Sequence, residues 1–502
     1  MSAAQLLIRG GLVADPASAI VEPRDILIEG TRIVALGAPG SIAEPRARIH
    51  GASNRLILPA FVNAHTHGHS NLVKGIADRW TLEASLTNGP WLAGARDTET
   101  IYLSALLGAL DMLSKGCVSC FDLVYEFPLP TKAGFAAVAR AYADAGMKAV
   151  LAPMVADKTL FTAIPGLLDS LPEDLRKTVS QFDLGSADAT IAAIEEIAAA
   201  RDDLPDGIDL AIAPTIPHHC SEDFLARCID LAERYDLPIH MHIAESRLQA
   251  TTARKLWGVS PVRYLADRGV LRPGFVAAHG VWLKHDDLDI LAEHQCSVAH
   301  IPASNFRLGS GMAYVRAMLD RGINVGLATD GANSSDAMSM LQAMRLASYA
   351  SRGFSGPRDK WLGAAETLRL ATRGGADLAG FKHAGRMEAG ADADLVFFDL
   401  DHLDFVPLTD PINQIVTAAD SASVREVMAN GRMVLSNGRF TAIDTSGLRE
   451  RVRDTVLRLS AKLADARPLA ARLEPHVVAF VDKASEEPLD IERFVNPREK
   501  IT

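Results

Sequence analysis

The chain has 502 residues, 48% of them hydrophobic and 23% charged, with a formal net charge of −11. This is the balance of a globular protein, and the acidic excess disfavours partners held by phosphate electrostatics, whether nucleic acid or an anionic membrane. No apolar run reaches the roughly 18 residues needed to span a bilayer, and residues 1–9 lack the charged and apolar regions of a signal peptide, so none is expected. Five cysteines, Cys117, Cys120, Cys220, Cys228 and Cys296, form an odd and sparse set. Such a set predicts reduced thiols and a cytoplasmic location.

The chain is too long for one ordinary core, but a (β/α)8 barrel of roughly 250 residues or more plus a smaller domain accommodates it. Residues 6–13 and 25–36 are apolar runs separated by glycine-containing turns, which read as short strands. From there to about residue 330, strand and helix signals alternate. The candidate strands are Leu56–His67, Gly116–Leu123, Lys148–Ala156, Ile208–Pro217, Leu237–Ala244, Gly274–Trp282, Cys296–Ala303 and Ile323–Thr329, with helical stretches such as Ala189–Arg201 and Ser221–Tyr235 between them. Eight strands with helical crossovers predict an α/β fold closed as a (β/α)8 TIM-type barrel. The open doubly wound sheet is disfavoured, because no G-x-G-x-x-G loop follows an early strand. The β texture returns at Gly390–Asp399 and Val424–Val434, the latter with an Asn-Gly turn. Both chain ends are therefore expected to build one small β-sandwich domain from residues 1–57 and 385–445, around a barrel of residues 58–384. Residues 446–502 are expected to form a helical extension suited to packing or oligomer contacts.

The polar residues worth chemistry sit at the C-terminal ends of these strands, the active face of such a barrel. The first strand ends Asn63-Ala-His65-Thr-His67-Gly-His69, and residues two apart on a strand share a face. His65 and His67 are thus half a metal site or an ordinary pair of turn histidines. In Ile239-His240-Met-His242-Ile-Ala-Glu245, His242 lies nearer the strand end and is the better ligand; His240 is expected to be buried behind it. Glu245 could shuttle a proton or simply favour a helix N-terminus. His279 ends the sixth strand, where a lone histidine is more often a core group. Asp330 ends the eighth and could bind metal or cap a turn. Each residue alone is ambiguous. Their recurrence at four strand ends is what favours a metal site. By contrast, Cys117-Val-Ser-Cys120 lies within an apolar strand with no second pair, so two buried thiols are expected, and His383, His402 and His476 are read as structural or surface groups.

With these segments in hand, the chain resembles the amidohydrolase superfamily, in the branch of S-adenosylhomocysteine and methylthioadenosine deaminases, guanine and cytosine deaminases and triazine hydrolases. The resemblance rests on Leu58–His67, Ile239–Glu245, Ala278–Val281, His300–Asn305 with Leu308–Gly311, Gly326–Gly331 and Gly385–Leu395, in order along nearly the whole chain. It implies that His65, His67, His242 and Asp330 bind zinc, with iron as the alternative. It also implies that Glu245 and His279 serve proton transfer and water orientation. Two-metal members usually carry a modified lysine at the end of strand four; Ile208–Pro217 has none, which points to one metal. The implied activity is hydrolytic deamination of an aminated N-heterocycle of purine, pterin or triazine type. Cleavage of an amide, urea or carbamate C–N bond is the alternative, and a silent metal-binding scaffold is a third reading, opposed by intact Glu245, His279 and Asp330.

The substrate is harder to read. In the adenosylhomocysteine-type deaminases strand four ends Gly-Pro-His, whereas this chain has Ala213-Pro-Thr215, a departure that argues against those nucleosides. Candidate substrate contacts are His69, Trp80, Trp91, His219, Asn305 and Arg307, with Asn71 and His218 as further pocket candidates. The expected partners are a small molecule and further copies of the chain, as a dimer or larger.

Overall fold

The apolar run Leu56–His67 divides at Ala60 into two strands that serve different sheets. In the computed structural model, which describes residues 5–494 except 77, 183, 336 and 355 and the side chains at 90 and 93, strand Arg55–Pro59 pairs with Leu395–Asp399. Strand Phe61–His67 pairs instead with Cys117–Val124. Pro59 has no N–H to carry the first ladder on. The Ala60 N–H donates to the Asp394 carbonyl on one side, and the Phe61 N–H to the Gly116 carbonyl on the other. Both strands are buried, so hydrophobic pattern alone shows no break.

The chain is α/β, and its parallel strands follow one another in sequence. Phe61–His67, Cys117–Val124 and Lys148–Val155 pair in turn, and the last pairs with the short strands Ile208–Leu210 and Ala213–Pro214. A parallel bridge from Ile212 to Ile239 leads to Ile239–Ile243, then to Phe275–His279, Ser297–His300 and Asn324–Leu327. Asp330–Gly331 then pairs with Thr66 and His67 of the first parallel strand. Because every pairing is parallel, the C-terminal ends of all these strands lie on one side. The crossover helices show clear local causes. Glu222–Arg234 starts at Ser221, whose side chain accepts the Phe224 N–H, and buries Phe224, Leu225, Cys228, Leu231 and Ala232 along one stripe. The fourth strand is shorter than its sequence suggests, since Pro217–His219 turns into a 3-10 helix.

The chain ends form one mixed sheet of nine strands. It contains Gln5–Asp15, Ile20–Glu29, Arg32–Gly37 and Arg48–Gly51 from the start, and Val424–Ala429, Arg432–Ser436 and Arg439–Phe440 from the end, flanking the paired strands Arg55–Pro59 and Leu395–Asp399. The Asn-Gly turn is present: Asn430 and Gly431 have φ of 50° and 70°, as a two-residue hairpin of this type requires. A Cβ on Gly431 would collide with the Gly30 carbonyl oxygen.

The tail is helical over most of its described length. It is two helices, Leu448–Lys462 and Ala466–Ser485. Its Leu473, Val477, Val481 and Ala484 are buried in an apolar cluster with Leu160, Phe161, Leu175, Val179 and Leu248. No described helix is long and apolar enough to cross a membrane. All five cysteines are free and buried, and burial pushes the Cys117 thiol up to about 12.

One buried ion pair ties the small sheet to the parallel strands. Lys148, at the start of the third parallel strand, reaches Asp392 at 2.7 Å and also Asp394, whose side chain is 2% exposed. Removing one partner of a buried pair typically costs about 3 to 5 kcal/mol. Lys148→Ala is therefore expected to lower the unfolding free energy by about that amount, measured by urea denaturation, and an unchanged midpoint would refute this role.

Candidate metal centre

The parallel topology delivers His65 and His67, His242, His279 and Asp330 to one end of the strands. His65 and His67 lie two residues apart, and their ring centroids are 4.8 Å apart. Each ring is held from behind. His67 Nδ1 donates to the Leu123 carbonyl oxygen at 3.1 Å, and His242 Nδ1 to that of Thr215 at 2.9 Å. His65 Nδ1 lies 3.1 Å from His240 Nε2, so His240 is the buried group behind the site. His279 Nδ1 is 2.9 Å from Asn305 Oδ1. For His67, His242 and His279 the oxygen partners assign the ring proton to Nδ1 and leave Nε2 as a bare lone pair.

The Nε2 atoms then face one another. Those of His67 and His242 are 3.3 Å apart, a contact that two lone pairs cannot make as a hydrogen bond. Asp330 Oδ1 is 3.2 Å from His67 Nε2 and 3.6 Å from His65 Nε2. Its Oδ2 accepts the Ser304 hydroxyl at 2.6 Å, and its Oδ1 the Gly331 N–H at 2.8 Å. His65 Nε2, His279 Nε2 and Glu245 Oε2 are buried with no hydrogen-bond partner. Three overlapping sets, His65/His242/His279, His65/His67/Asp330 and Glu245/His279/Asp330, each bring their ligand atoms within 4.8 Å of one another. Converging imidazole lone pairs with one carboxylate are the donor set of a divalent cation. Ligand atoms at about 2.1 Å in a tetrahedral site lie about 3.4 Å apart, close to the spacing of His67 and His242.

Electrostatics follow from burial. Desolvation pulls the His65 ring down to about 3 against the attraction of the nearby Asp330 carboxylate. It also holds His240 and His242 well below the usual imidazole range, with neighbouring rings adding to the effect. Burial would raise Asp330, but the adjacent His65 and the other nearby rings keep it well below the usual carboxylate range. Glu245 moves the other way, pushed well above its ordinary value by burial and by the charges of Asp330 and Glu83. Two carboxyl groups in one pocket are thus driven to opposite protonation states. Ala244, His279 and Asp330 adopt positive φ of 49°, 67° and 69°. Such left-handed non-glycine backbone is uncommon, costs about 1–3 kcal/mol per residue and gathers at functional sites.

Beside this cluster lies a cavity of about 440 Å³, lined by His69, Thr215 and His219 together with many apolar side chains. The His69 ring is 5.3 Å from that of His67. Of the other predicted substrate contacts, none lines this cavity. Asn305 orients His279. The Trp91 indole donates to Asn88 Oδ1 beneath Arg467 of the C-terminal helix. Arg307 donates to the Asp78 carbonyl, and Trp80 is half-buried in a loop. Asn71 donates to the Gly68 carbonyl, and His218 packs on His219. His383 is exposed, and His402 and His476 are half-buried, all remote in sequence from the strand ends. Two further residues reach the site without a signal in the sequence: Ser304 reads there as a plain helix residue, and Glu83 as a first-turn acid. Glu83 accepts the Ser246 hydroxyl at 2.7 Å, beside Glu245.

The amidohydrolase family model matches residues 56–434. The chain belongs to the amidohydrolase family. It is 32% identical over 443 residues to a 5′-deoxyadenosine deaminase of Methanothermobacter thermautotrophicus, covering 88% of this chain and 95% of the relative. It is also 32% identical over 462 residues to a 5-methylthioadenosine/S-adenosylhomocysteine deaminase of Pelotomaculum thermopropionicum, covering 91% and 99%. Among solved structures, an adenosine deaminase from Xanthomonas campestris with bound zinc superposes with a TM-score of 0.80 at 26% identity, covering 91% of this chain and 99% of that one. An atrazine chlorohydrolase from Arthrobacter aurescens TC1 complexed with zinc gives 0.79 at 26% identity, covering 90% and 100%. This amidohydrolase acts on carbon–nitrogen bonds, and its relatives support hydrolytic deamination of an N-heterocycle.

The depressed rings carry a stability signature. Burial, with a smaller contribution from His279, holds His300 at about 3, and burial with Lys158 holds His219 at about 4. Each stays neutral when folded while its unfolded counterpart, near 6.5, takes up a proton. The stabilisation is therefore complete above pH 6.5 and is lost as pH falls towards the folded value, by about 1.4 kcal/mol per pH unit per ring. Urea midpoints of the metal-free chain are expected to fall from pH 6.5 to pH 4. His300→Asn should flatten the slope by about one ring's share; an identical slope would count against this assignment.

Proposed function

We propose that the chain is a one-metal aminohydrolase that releases ammonia from an aminated nitrogen heterocycle of purine, pterin or triazine type. The observation that carries this reading is the convergence of the imidazole lone pairs of His65, His67 and His242 on Asp330, beside a cavity of the size that takes small-molecule ligands. In this reading those four residues hold zinc, with iron as the alternative. Zinc in two structural relatives supports the choice of ion, and the lysine-free fourth strand supports a single ion. A divalent ion there supplies Lewis acidity and brings the pKa of a water from 15.7 towards about 7.

The protein's own groups then divide the work. Asp330, low in pKa and steadied by Ser304 and the Gly331 N–H, accepts the proton of the attacking water. Glu245, raised in pKa, holds a proton at its carboxyl and delivers it to the ring nitrogen or the departing amine. His279, its Nδ1 fixed by Asn305, presents Nε2 to the attacking oxygen. The cavity, with Thr215 and the buried rings of His69 and His219 on its wall, takes the rest of the substrate. Names of the relatives make 6-aminopurine nucleosides the first substrates to test.

The same reading takes the parallel strands as a closed (β/α)8 barrel, supported by the return of Asp330–Gly331 to the first strand. It takes the end sheet as folded into a sandwich. Ile26, Ile28 and Ile33 share a core with Phe397 and Met428 from the far side of the sheet, and the Ile33 N–H donates to the Ala391 carbonyl. The boundaries proposed are 1–57 with 385–445, 58–384 and 446–502. The free thiols support a cytoplasmic location. Exposed Leu403, Val406 and Leu408 supply an apolar surface for the proposed dimer or larger oligomer.

Elemental analysis is expected to give about one metal per chain, and ammonia release should vanish on chelation and return with zinc. Asp330→Ala and His242→Ala should lose both metal and turnover. Glu245→Gln should keep metal while losing about 10²–10⁴ in rate. Full turnover by metal-free protein would overturn the reading, and release of an alkyl or aryl amine without ammonia would redirect it to amide or carbamate cleavage.

A further inference from the structure

An irregular stretch, residues 486–494, follows the last long helix and runs over the active side of the parallel strands. Its neighbours place it there. Arg247 opens the helix that follows strand Ile239–Ile243, and it donates to the carbonyls of Ser485 and Glu487 at 3.0 and 2.6 Å. Lys284, beyond strand Phe275–His279, reaches Asp490 at 2.5 Å. Farther on, the stretch meets the loop that follows His279 and the loop that follows the helix carrying Asn305.

Arg493 makes both contacts. Its Nε donates to the Val281 carbonyl at 2.9 Å and its Nη2 to the Leu283 carbonyl at 2.5 Å, while Nη1 turns back to the Glu492 carbonyl at 3.0 Å. The first two carbonyls flank Trp282, in a turn that begins two residues after His279. A planar guanidinium fixes two acceptors in one geometry, which a flexible ammonium does not. The carbonyl of Arg493 accepts the Met312 N–H at 2.8 Å. Gly311 makes room for that approach: its φ is 111°, and a Cβ there would press on the Arg493 carbonyl oxygen. Between these two grips the contacts run back to the chemistry. The Trp282 indole donates to the Ser310 carbonyl at 2.8 Å. The Ser310 N–H donates to the Asn305 carbonyl at 2.8 Å, and Asn305 Oδ1 accepts from His279 Nδ1. The Phe494 ring meets Trp282 edge-on, with centroids 5.1 Å apart. His279 stands in this circuit at a φ of 67°, a backbone conformation that persists only where the surroundings over-determine it. Exposed ion pairs such as Lys255 with Glu487 fasten the stretch to the surface. That fastening does not call for a guanidinium committed to the main chain of one turn, nor for a glycine opposite its carbonyl.

We propose that Arg493 is a positioning residue of the reaction, holding the turn after His279 and the loop after Asn305 so that His279 Nε2 stays aimed at the attacking oxygen. This inference rests on the deaminase reading. It adds to the site a residue that lies outside residues 56–434, the part that matches the family.

The test is a double-mutant cycle on the full chain loaded with zinc, following ammonia release from whichever of 5′-deoxyadenosine and 5′-methylthioadenosine turns over faster. Arg493→Ala is expected to lower kcat by about tenfold or more, with KM within about twofold and zinc content unchanged. Arg493→Lys, which keeps a donor and loses the fork, should recover part of the rate. In a His279→Ala background the same Arg493→Ala change should alter kcat by less than about twofold, because the group it positions is gone. A generally loosened fold would lower kcat by the same factor in both backgrounds, and that result overturns the inference. So does a kcat unmoved by Arg493→Ala. If Arg493→Ala does not fold, Arg493→Lys carries the cycle: a loss with His279 present and none without it supports the inference, and equal losses or no loss overturn it. All these outcomes leave deamination standing. No ammonia from either compound overturns the deaminase reading for adenine nucleosides, and this inference with it.

Discussion

Two imidazole nitrogens that cannot bond to each other sit 3.3 Å apart at the mouth of the parallel strands. His67 and His242 have given their ring protons to main-chain carbonyls, so what they present to one another is a pair of lone pairs. The arrangement is repulsive on its own and becomes favourable around a cation. It also requires that the carbonyls of Leu123 and Thr215 be fixed to within a few tenths of an ångström. Neighbouring parallel strands provide that rigidity: the donors on strands one and five are aligned by acceptors on strands two and four. The same burial that keeps the rings neutral splits the pocket's carboxyls, with Asp330 ionised by its histidine neighbours and Glu245 protonated by its apolar surroundings.

The rest of the molecule holds this arrangement in place. Lys148 and its two aspartates join the end sheet to the third strand at the end opposite the chemistry. On the active side, the last long helix closes an apolar cluster against residues 160–179 and lies along helix Leu82–Ala93, with Asn88 donating to Glu474 at 3.0 Å. Both of those segments contribute to the wall of the large cavity. The C-terminal extension lies outside residues 56–434, the part that matches the family. It nonetheless packs against two segments that line the cavity.

Charge is distributed unevenly for a physical reason. A surface excess of acid costs little, because solvent screens it. A buried guanidinium without an acid beside it is expensive. Arg96 is such a group, and the carbonyls of His69 and Leu92 position it without neutralising it.

Much of the site was legible in the chain alone, because its residues sit in strands whose alternation is a local property. His65 and His67 share a face by the period of two, and His242, His279 and Asp330 mark the ends of apolar runs. The alternation of strand and helix signals likewise announced a parallel α/β arrangement. Other features depend on contacts between distant segments, which no local pattern encodes. The division of Leu56–His67 at Ala60 is set by which sheet each half joins. The roles of the Thr215 and Leu123 carbonyls are main-chain facts invisible in residue identity. Asn305 lies against His279, and Arg96, in the loop between helices Leu82–Ala93 and Thr98–Leu113, lines the cavity. Sequence determined which groups could do chemistry; the tertiary structure decided which of them face each other, because desolvation and hydrogen-bond partnership arise only when separated strands are brought together.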